Sequence, residues 1–283
     1  MANYRKILVA YDGSASAKNG LAVAADIAKK DKSWIKVLAV VPDYQGELEL
    51  IGISNIKETI EGPGQKLLAE AKRLADGYGV HVFTNLEQGE PYERIVQVAA
   101  EEQCDLIVMG RSGMNHLERA LMGGVTARVI GHTDRNVLIV PEGARLEWNT
   151  ILVATDGSDN SSAAVRHAVA VAKEKGARLV AVSVVHTDEE MIALAPEHIQ
   201  HLADQARLYL QQVSDLCAAE GVVVETFVRE GEPHEQITGV AGEIGASLVV
   251  MGTHGRKGLR RLLMGSVTER TIGYAQCPVL IIH

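Results

Sequence analysis

Phenylalanine is almost missing from this chain: among 283 residues only Phe83 and Phe227 occur, and aromatic residues together make up 4%. Val, Ile, Leu and Ala are abundant instead, and cores built from them suit parallel sheets covered by helices. Cysteine is scarce too. Cys104, Cys217 and Cys277 are odd in number and lack C-x-x-C spacing, which argues against a disulfide framework or a cysteine-based zinc site and suggests buried, reduced thiols. Positive charge is in deficit, with a formal net charge of −8 and a pI near 5.7, so broad binding to nucleic acid or acidic membranes is excluded. No apolar run approaches the roughly 18 residues that span a bilayer. The opening M-A-N-Y-R-K-I-L-V-A has no signal-peptide core followed by a cleavage site, and the expected location is cytoplasmic.

What the chain does contain is the profile of a compact α/β protein: 47% hydrophobic residues, 23% charged residues and 27 glycines, over a length sufficient for two domains. Apolar runs predict strands over 5–11, 35–41, 80–86, 105–109 and 136–140. Helical spacing predicts helices over 16–30, 65–77, 91–102 and about 125–132. Residues 42–64, interrupted by Pro42, Gly46, Gly52, Gly62 and Pro63, read as a loop with at most one helical turn.

The pattern then starts again. N-T-I-L-V-A-T-D-G-S at 149–158 repeats R-K-I-L-V-A-Y-D-G-S at 5–14, offset by 144 residues. Gly231-Glu232-Pro233 repeats Gly89-Glu90-Pro91, and Gly252, Gly255 and Gly265 repeat Gly110, Gly113 and Gly123, offset by 142. A period this long makes each repeat a whole domain, over 1–141 and 149–283 with 142–148 as linker. Strands alternating with helices imply parallel sheets with right-handed crossovers. So short a linker predicts that the halves pack as a pseudo-two-fold dimer; further association of two chains is left open.

Each repeat places a glycine-punctuated loop between a buried strand and a helix: Val249 to Gly273 in the second copy and Ile107 to Gly131 in the first. A helix N-terminus carries unpaired amides and a partial positive charge, so such a loop is an anion cradle suited to phosphate. Ligands of doubly wound sheets bind beyond the carboxyl ends of strands where the order reverses. If the first and fourth strands are neighbours, Asp12 or Asp156 faces that cradle, a pairing that suits a nucleotide's ribose and phosphates. Neither G-x-x-x-x-G-K-[ST] nor a G-x-G-x-x-G between strand and helix is present; the pattern is G-x-x-G, nine residues, then G-[S/G].

That glycine pattern, the strand-end V-A-[YT]-D-G-S and the C-P-V-L-I-I ending at Cys277 to Ile282 resemble the universal stress protein family, in a tandem arrangement covering nearly the whole chain. The resemblance implies two Rossmann-like domains of the adenine nucleotide alpha hydrolase type, each a mostly parallel five-stranded sheet with helices on both faces. It also implies dimerisation and, in many members, ATP binding with magnesium. Carried onto the second half, it gives Asp156, flanked by Thr155 and Gly157, to ribose. Gly252, Thr253, Gly255, Arg256, Gly265 and Ser266 go to ribose and phosphates. Val267 and Thr268 add amides and a hydroxyl, and the backbone of Val184 and Val185 serves adenine. In the first half the matching positions are Asp12, Val40, Val41, Gly110, Gly113, Gly123, Gly124, Val125 and Thr126.

The copies differ. Gly124 stands where the family pattern wants Ser or Thr, and the first loop carries Arg111, His116, Glu118 and Arg119 against Arg256, Lys257, Arg260 and Arg261 in the second. More cations favour a triphosphate, so the second site is the expected ATP site. Structural alternatives stand beside these roles. S-V-T-E spells a capping box with Ser266 as N-cap and Glu269 three residues on, the aspartates could cap the helices behind them, and the basic residues could form a solvated loop. His198 and His201, three apart, with His186 upstream, lack a third ligand for zinc and read better as a surface helix. No Walker lysine, dedicated metal-binding acid or general base is evident, so at most slow hydrolysis is expected of a stress-response regulator. The rivals are an interaction module with degenerate sites and an ATP pyrophosphatase, which would want an S-G-G-x-D-S loop that D-G-S-A-S and D-G-S-D-N do not supply.

Overall fold

The computed structural model describes residues 4–43, 56–111, 124–187, 196–255 and 264–283. Among them the chain divides into two compact units, one ending at Gly143 and the other beginning at Ala144. The first unit runs β1 (Lys6–Ala10), α1 (Ala15–Asp31), β2 (Trp34–Val41), α2 (Ile56–Gly77), β3 (Val82–Gln88), α3 (Pro91–Glu101), β4 (Leu106–Gly110), α4 (Gly124–His132) and β5 (Asn136–Val140). The second runs β6 (Thr150–Ala154), α5 (Asp159–Lys175), β7 (Arg178–Val185), α6 (Pro196–Glu220), β8 (Val224–Glu230), α7 (Pro233–Glu243), β9 (Leu248–Gly252), α8 (Ser266–Tyr274) and β10 (Val279–Ile282).

Within the first unit the strands lie in the order β3-β2-β1-β4-β5, every pairing parallel. The second unit repeats that arrangement as β8-β7-β6-β9-β10. Central strands such as I-L-V in β1 and β6 are buried on both sides, as a doubly covered sheet requires. In each unit the first two helices pack together and the last two pack together, because crossovers of one hand change face where the strand order reverses. The reversal falls between β1 and β4, and again between β6 and β9, so the first and fourth strands are neighbours as the site requires.

Two sequence expectations are corrected. The stretch before residue 65 is not all loop: α2 begins at Ile56 and carries Pro63 inside it. The helix survives its own breakers through packing, since a Cβ on Gly64 would fall 2.4 Å from Leu86 Cδ1 and 2.8 Å from Val41 Cγ1. Glycine there lets α2 lie directly on β2 and β3. The third strand also starts and ends two residues later than expected. Val80 N–H still donates to the Ala75 carbonyl, closing α2, while Gly89 N–H reaches the Val41 carbonyl at the strand's far end.

Caps follow the repeat as well. Ser14 and Ser158 are the N-caps of α1 and α5, accepting from Ala17 N–H at 3.1 Å and Ser161 N–H at 3.2 Å. Cys104 and Cys217 are buried and Cys277 is half-buried, none of them in a disulfide; burial pushes the Cys104 thiol up to about 11. None of the described helices is long and apolar enough to cross a membrane.

Candidate nucleotide site

The second unit's crevice lies where β6 and β9 end side by side. From β6 come Thr155, Asp156 and Gly157. Asp156 Oδ1 accepts from Ser158 N–H at 3.1 Å and from the Ser158 hydroxyl at 2.6 Å, and Thr155 Oγ1 accepts from Gly157 N–H at 3.3 Å and lies 3.2 Å from Ser161 Oγ. Because Ser158 caps α5, Asp156 is not the cap; it braces a tight turn, and its second oxygen points across the crevice. There it meets the glycine loop: a Cβ on Gly255 would fall 2.6 Å from Asp156 Oδ2, so any larger residue here would push the carboxylate aside.

Neighbouring contacts fix the same loop. A Cβ on Gly252 would fall 2.7 Å from the Asn160 carbonyl carbon, so β9 ends directly against the first turn of α5. The Asn160 amide reaches the His254 carbonyl at 3.3 Å. Gly265 N–H donates to the Thr253 carbonyl at 2.9 Å, joining the two ends of the glycine loop. Thr253 itself is buried.

Gly265 is the N-cap of α8 and makes no side-chain cap, so the capping box spelled by S-V-T-E is not formed. Ser266 is instead the first helical residue and is exposed. The first amide to bond back along the helix is Glu269 N–H, to the Gly265 carbonyl at 3.0 Å. The amides of Ser266, Val267 and Thr268 precede it and form the open end of the helix. The Thr268 hydroxyl, expected at the phosphates, donates to the Gly252 carbonyl at 3.0 Å and is buried, so it latches α8 to β9. Val184 and Val185 end β7 on the other flank, and the Val185 carbonyl accepts from Gly231 N–H at 3.0 Å.

The first unit keeps the plan with fewer braces. Asp12 Oδ1 accepts from Ser14 N–H at 3.0 Å, and Ser14 caps α1. Tyr11 replaces Thr155; its hydroxyl turns away to Glu70 Oε2 at 3.3 Å, and burial, then Glu70, raises its phenol far above the ordinary value. Gly110 presses on α1, where a Cβ would fall 2.4 Å from Ala17 N. Val40 and Val41 end β2, Arg111 takes the place of Thr253, and Gly124 opens α4 with no hydroxyl, followed by exposed Val125 and buried Thr126. Gly113, Gly123 and the first loop's His116, Glu118 and Arg119, like Arg256, Lys257, Arg260 and Arg261 of the second, lie outside the described residues.

His198 and His201 are exposed on α6, where His201 Nε2 lies 2.9 Å from the Gln205 amide. Among the described residues no group of three His, Cys, Asp or Glu side chains could hold a metal ion. Three contributors escaped sequence reasoning. Asn160 looks like an ordinary helix residue. Tyr209, whose ring would sit 2.4 Å from a Cβ on Gly157, comes from α6. Glu232 lies in the repeated G-E-P motif, whose recurrence was the available signal.

Comparison with known proteins agrees with this architecture. The model of the universal stress protein family matches twice, over residues 3–141 and 147–283. A universal stress protein of Methanocaldococcus jannaschii is 37% identical over 149 residues, 51% of this chain and 86% of its own length. One of Mycolicibacterium smegmatis is 25% identical over 296 residues, covering 98% of this chain and 96% of its own. The crystal structure of a universal stress protein from Archaeoglobus fulgidus superposes with a TM-score of 0.75 at 22% identity, over 98% of this chain and 95% of that one, which speaks for the fold. With two family matches spanning nearly all of its length, the chain belongs to the universal stress protein family and carries two copies of that family's domain in tandem.

Proposed function

We propose that the second unit binds ATP, with magnesium carried on the phosphates, and that the protein acts as a nucleotide-dependent regulator of the stress response rather than as a fast enzyme. The observation that carries this reading is the meeting of Gly255 with the Asp156 carboxylate beside the open amides of α8. A carboxylate at the mouth of a glycine cradle suits a ribose diol next to a phosphate chain. Asp156 would accept from the ribose hydroxyls, Gly252, Thr253, Gly255 and Gly265 would let the chain approach, and Ser266, Val267 and Thr268 would offer amides to the phosphates. Arg256 would add charge. The backbone at Val184 and Val185 would read the base, with one lone pair of the Val185 carbonyl already committed to Gly231.

The first unit, with Gly124 for Ser266 and Tyr11 for Thr155, is the weaker site. A bound triphosphate would meet fewer donors there, and its Asp12 turn has fewer braces. Among the described residues of either crevice none is arranged as a general base, and the reading expects slow hydrolysis at most.

Calorimetric titration with magnesium and ATP tests this on the wild type, Gly265→Val and Gly123→Val. A Cβ on Gly265 would come to 3.3 Å from the Thr253 carbonyl oxygen and the His254 Cα, so a branched side chain crowds the loop. Loss of heat in Gly265→Val, with binding kept in Gly123→Val, is the expected result. A wild type that takes up no ATP ends the nucleotide reading in favour of an interaction module.

A further inference from the structure

A single carboxylate joins the two flanks of the second crevice. Glu232 is the residue before α7 and makes no side-chain cap there. Its Oε1 lies 3.1 Å from His234 Nδ1 and accepts from the Arg270 guanidinium at 3.2 Å, while its Oε2 lies 3.5 Å from His186 Nδ1. These partners come from different sides of the site. His186 directly follows Val185, the strand end assigned to the base, and Arg270 stands on α8, the helix whose first amides are assigned to the phosphates. The 3.0 Å bond between Gly231 N–H and the Val185 carbonyl fixes the backbone beside Glu232 to that same strand end.

The first unit supplies an internal control. Glu90 occupies the matching place, and its contact with Arg128 is 3.7 Å. Pro42 stands where His186 does and Tyr92 where His234 does. Among the described residues, His132 on α4 turns its Nδ1 to the Arg128 carbonyl at 2.7 Å instead of to the carboxylate. Two titratable rings have thus gathered around the glutamate in the half whose nucleotide features are intact, and not in the other.

We propose that Glu232 is a positioning residue for the second nucleotide site, and that the histidines it holds make nucleotide binding there proton-linked; this rests on the nucleotide reading above. The groups facing the cluster are His186 from the end of β7, Glu232 and His234 at the start of α7, and Arg270 and Tyr274 from α8, the Tyr274 ring 5.4 Å from that of His234. On β8, Arg229 is directed to Glu243 at 2.8 Å. Histidine changes charge in the physiological range. Each proton gained there tightens the hold on Glu232 and adds positive charge on the base flank of a polyanion site, so binding takes up protons and affinity rises as pH falls from 8 to 6.

The test is magnesium–ATP calorimetry at pH 6, 7 and 8 on the full chain. The variants are Glu232→Gln, His186→Asn and the exchange His234→Tyr with Tyr274→His, which transplants the first unit's ring pair. ATP's own terminal phosphate titrates in this range, so the slope is read as a difference between proteins. The wild type should gain at least about threefold more affinity between pH 8 and pH 6 than Glu232→Gln does. His186→Asn should flatten the slope in part, and the histidine NMR resonances should shift their titration in Glu232→Gln. Should Glu232→Gln not fold, exposed His186 carries the test. Heat with the same slope in wild type and every folded variant overturns this proposal alone, whereas no heat at any pH overturns the nucleotide reading and this inference with it.

Discussion

At single residues, the sequence marked positions but not their partners. The spacing of Gly252, Gly255 and Gly265 was readable because it recurs, and so was Asp156. What the turn does with Asp156 was not: a cap and a ribose ligand look alike in D-G-S. The structure removes the cap, since Ser158 takes that role and Asp156 Oδ2 faces Gly255. Gly255→Ala should therefore force the carboxylate aside, raising the dissociation constant for magnesium–ATP about tenfold or more while changing stability in urea by less than about 1 kcal/mol. Thr268 gives the opposite pattern, as its buried hydroxyl serves the Gly252 carbonyl. Thr268→Val should lower the stability measured by urea unfolding by about 1–2 kcal/mol, because the carbonyl loses its partner. Asn160 and Tyr209 were illegible for a common reason, since each acts across elements distant in sequence where no local period points, whereas Glu232 was marked by the repeated G-E-P but not its partners.

Among the elements, strands were read most accurately, since apolar runs such as N-V-L-I-V at β5 leave little choice when both faces are covered. The error lay at the start of α2. Gly62, Pro63 and Gly64 signal a break by every local rule, yet the helix runs through them because Gly64 nests on Leu86 and Val41. Local propensity lost to tertiary packing. Two substitutions separate the contributions and are read by thermal or chemical unfolding. Pro63→Ala should stabilise by about 1 kcal/mol, since proline inside a helix removes a bond and crowds the preceding turn. Gly64→Ala should destabilise despite alanine's higher helix propensity, because its Cβ would meet Leu86 at 2.4 Å.

For the whole molecule, the duplication was the most legible feature and showed two copies of one domain, whereas the adjacency of the first and fourth strands was only a condition of the site until the structure supplied it. It also offers each half as the reference for the other. His167 on α5 stands where the first unit has Val23, which is 3% exposed. Burial pushes the His167 imidazole from 6.5 down to about 4. A folded value below the unfolded one means that stability is intact above pH 6.5 and declines as pH falls towards 4, by on the order of 3 kcal/mol at the limit. Urea unfolding between pH 7.5 and 4.5 should show this slope, and His167→Val, which copies the first unit, should reduce it. An unchanged slope would place the acid sensitivity elsewhere.

The last two helices of each unit touch through a pair of rings, Tyr92 on His132 at 5.2 Å and His234 on Tyr274 at 5.4 Å. The same two residues occur in opposite order. Copies of one ancestral domain began identical here, so at least two substitutions separate the halves at this contact. The shortest histories run through a like pair, two tyrosines or two histidines, in a protein that still had to fold. Both halves thus hold two tilted polar rings between these helices, with the helix that carries each ring exchanged.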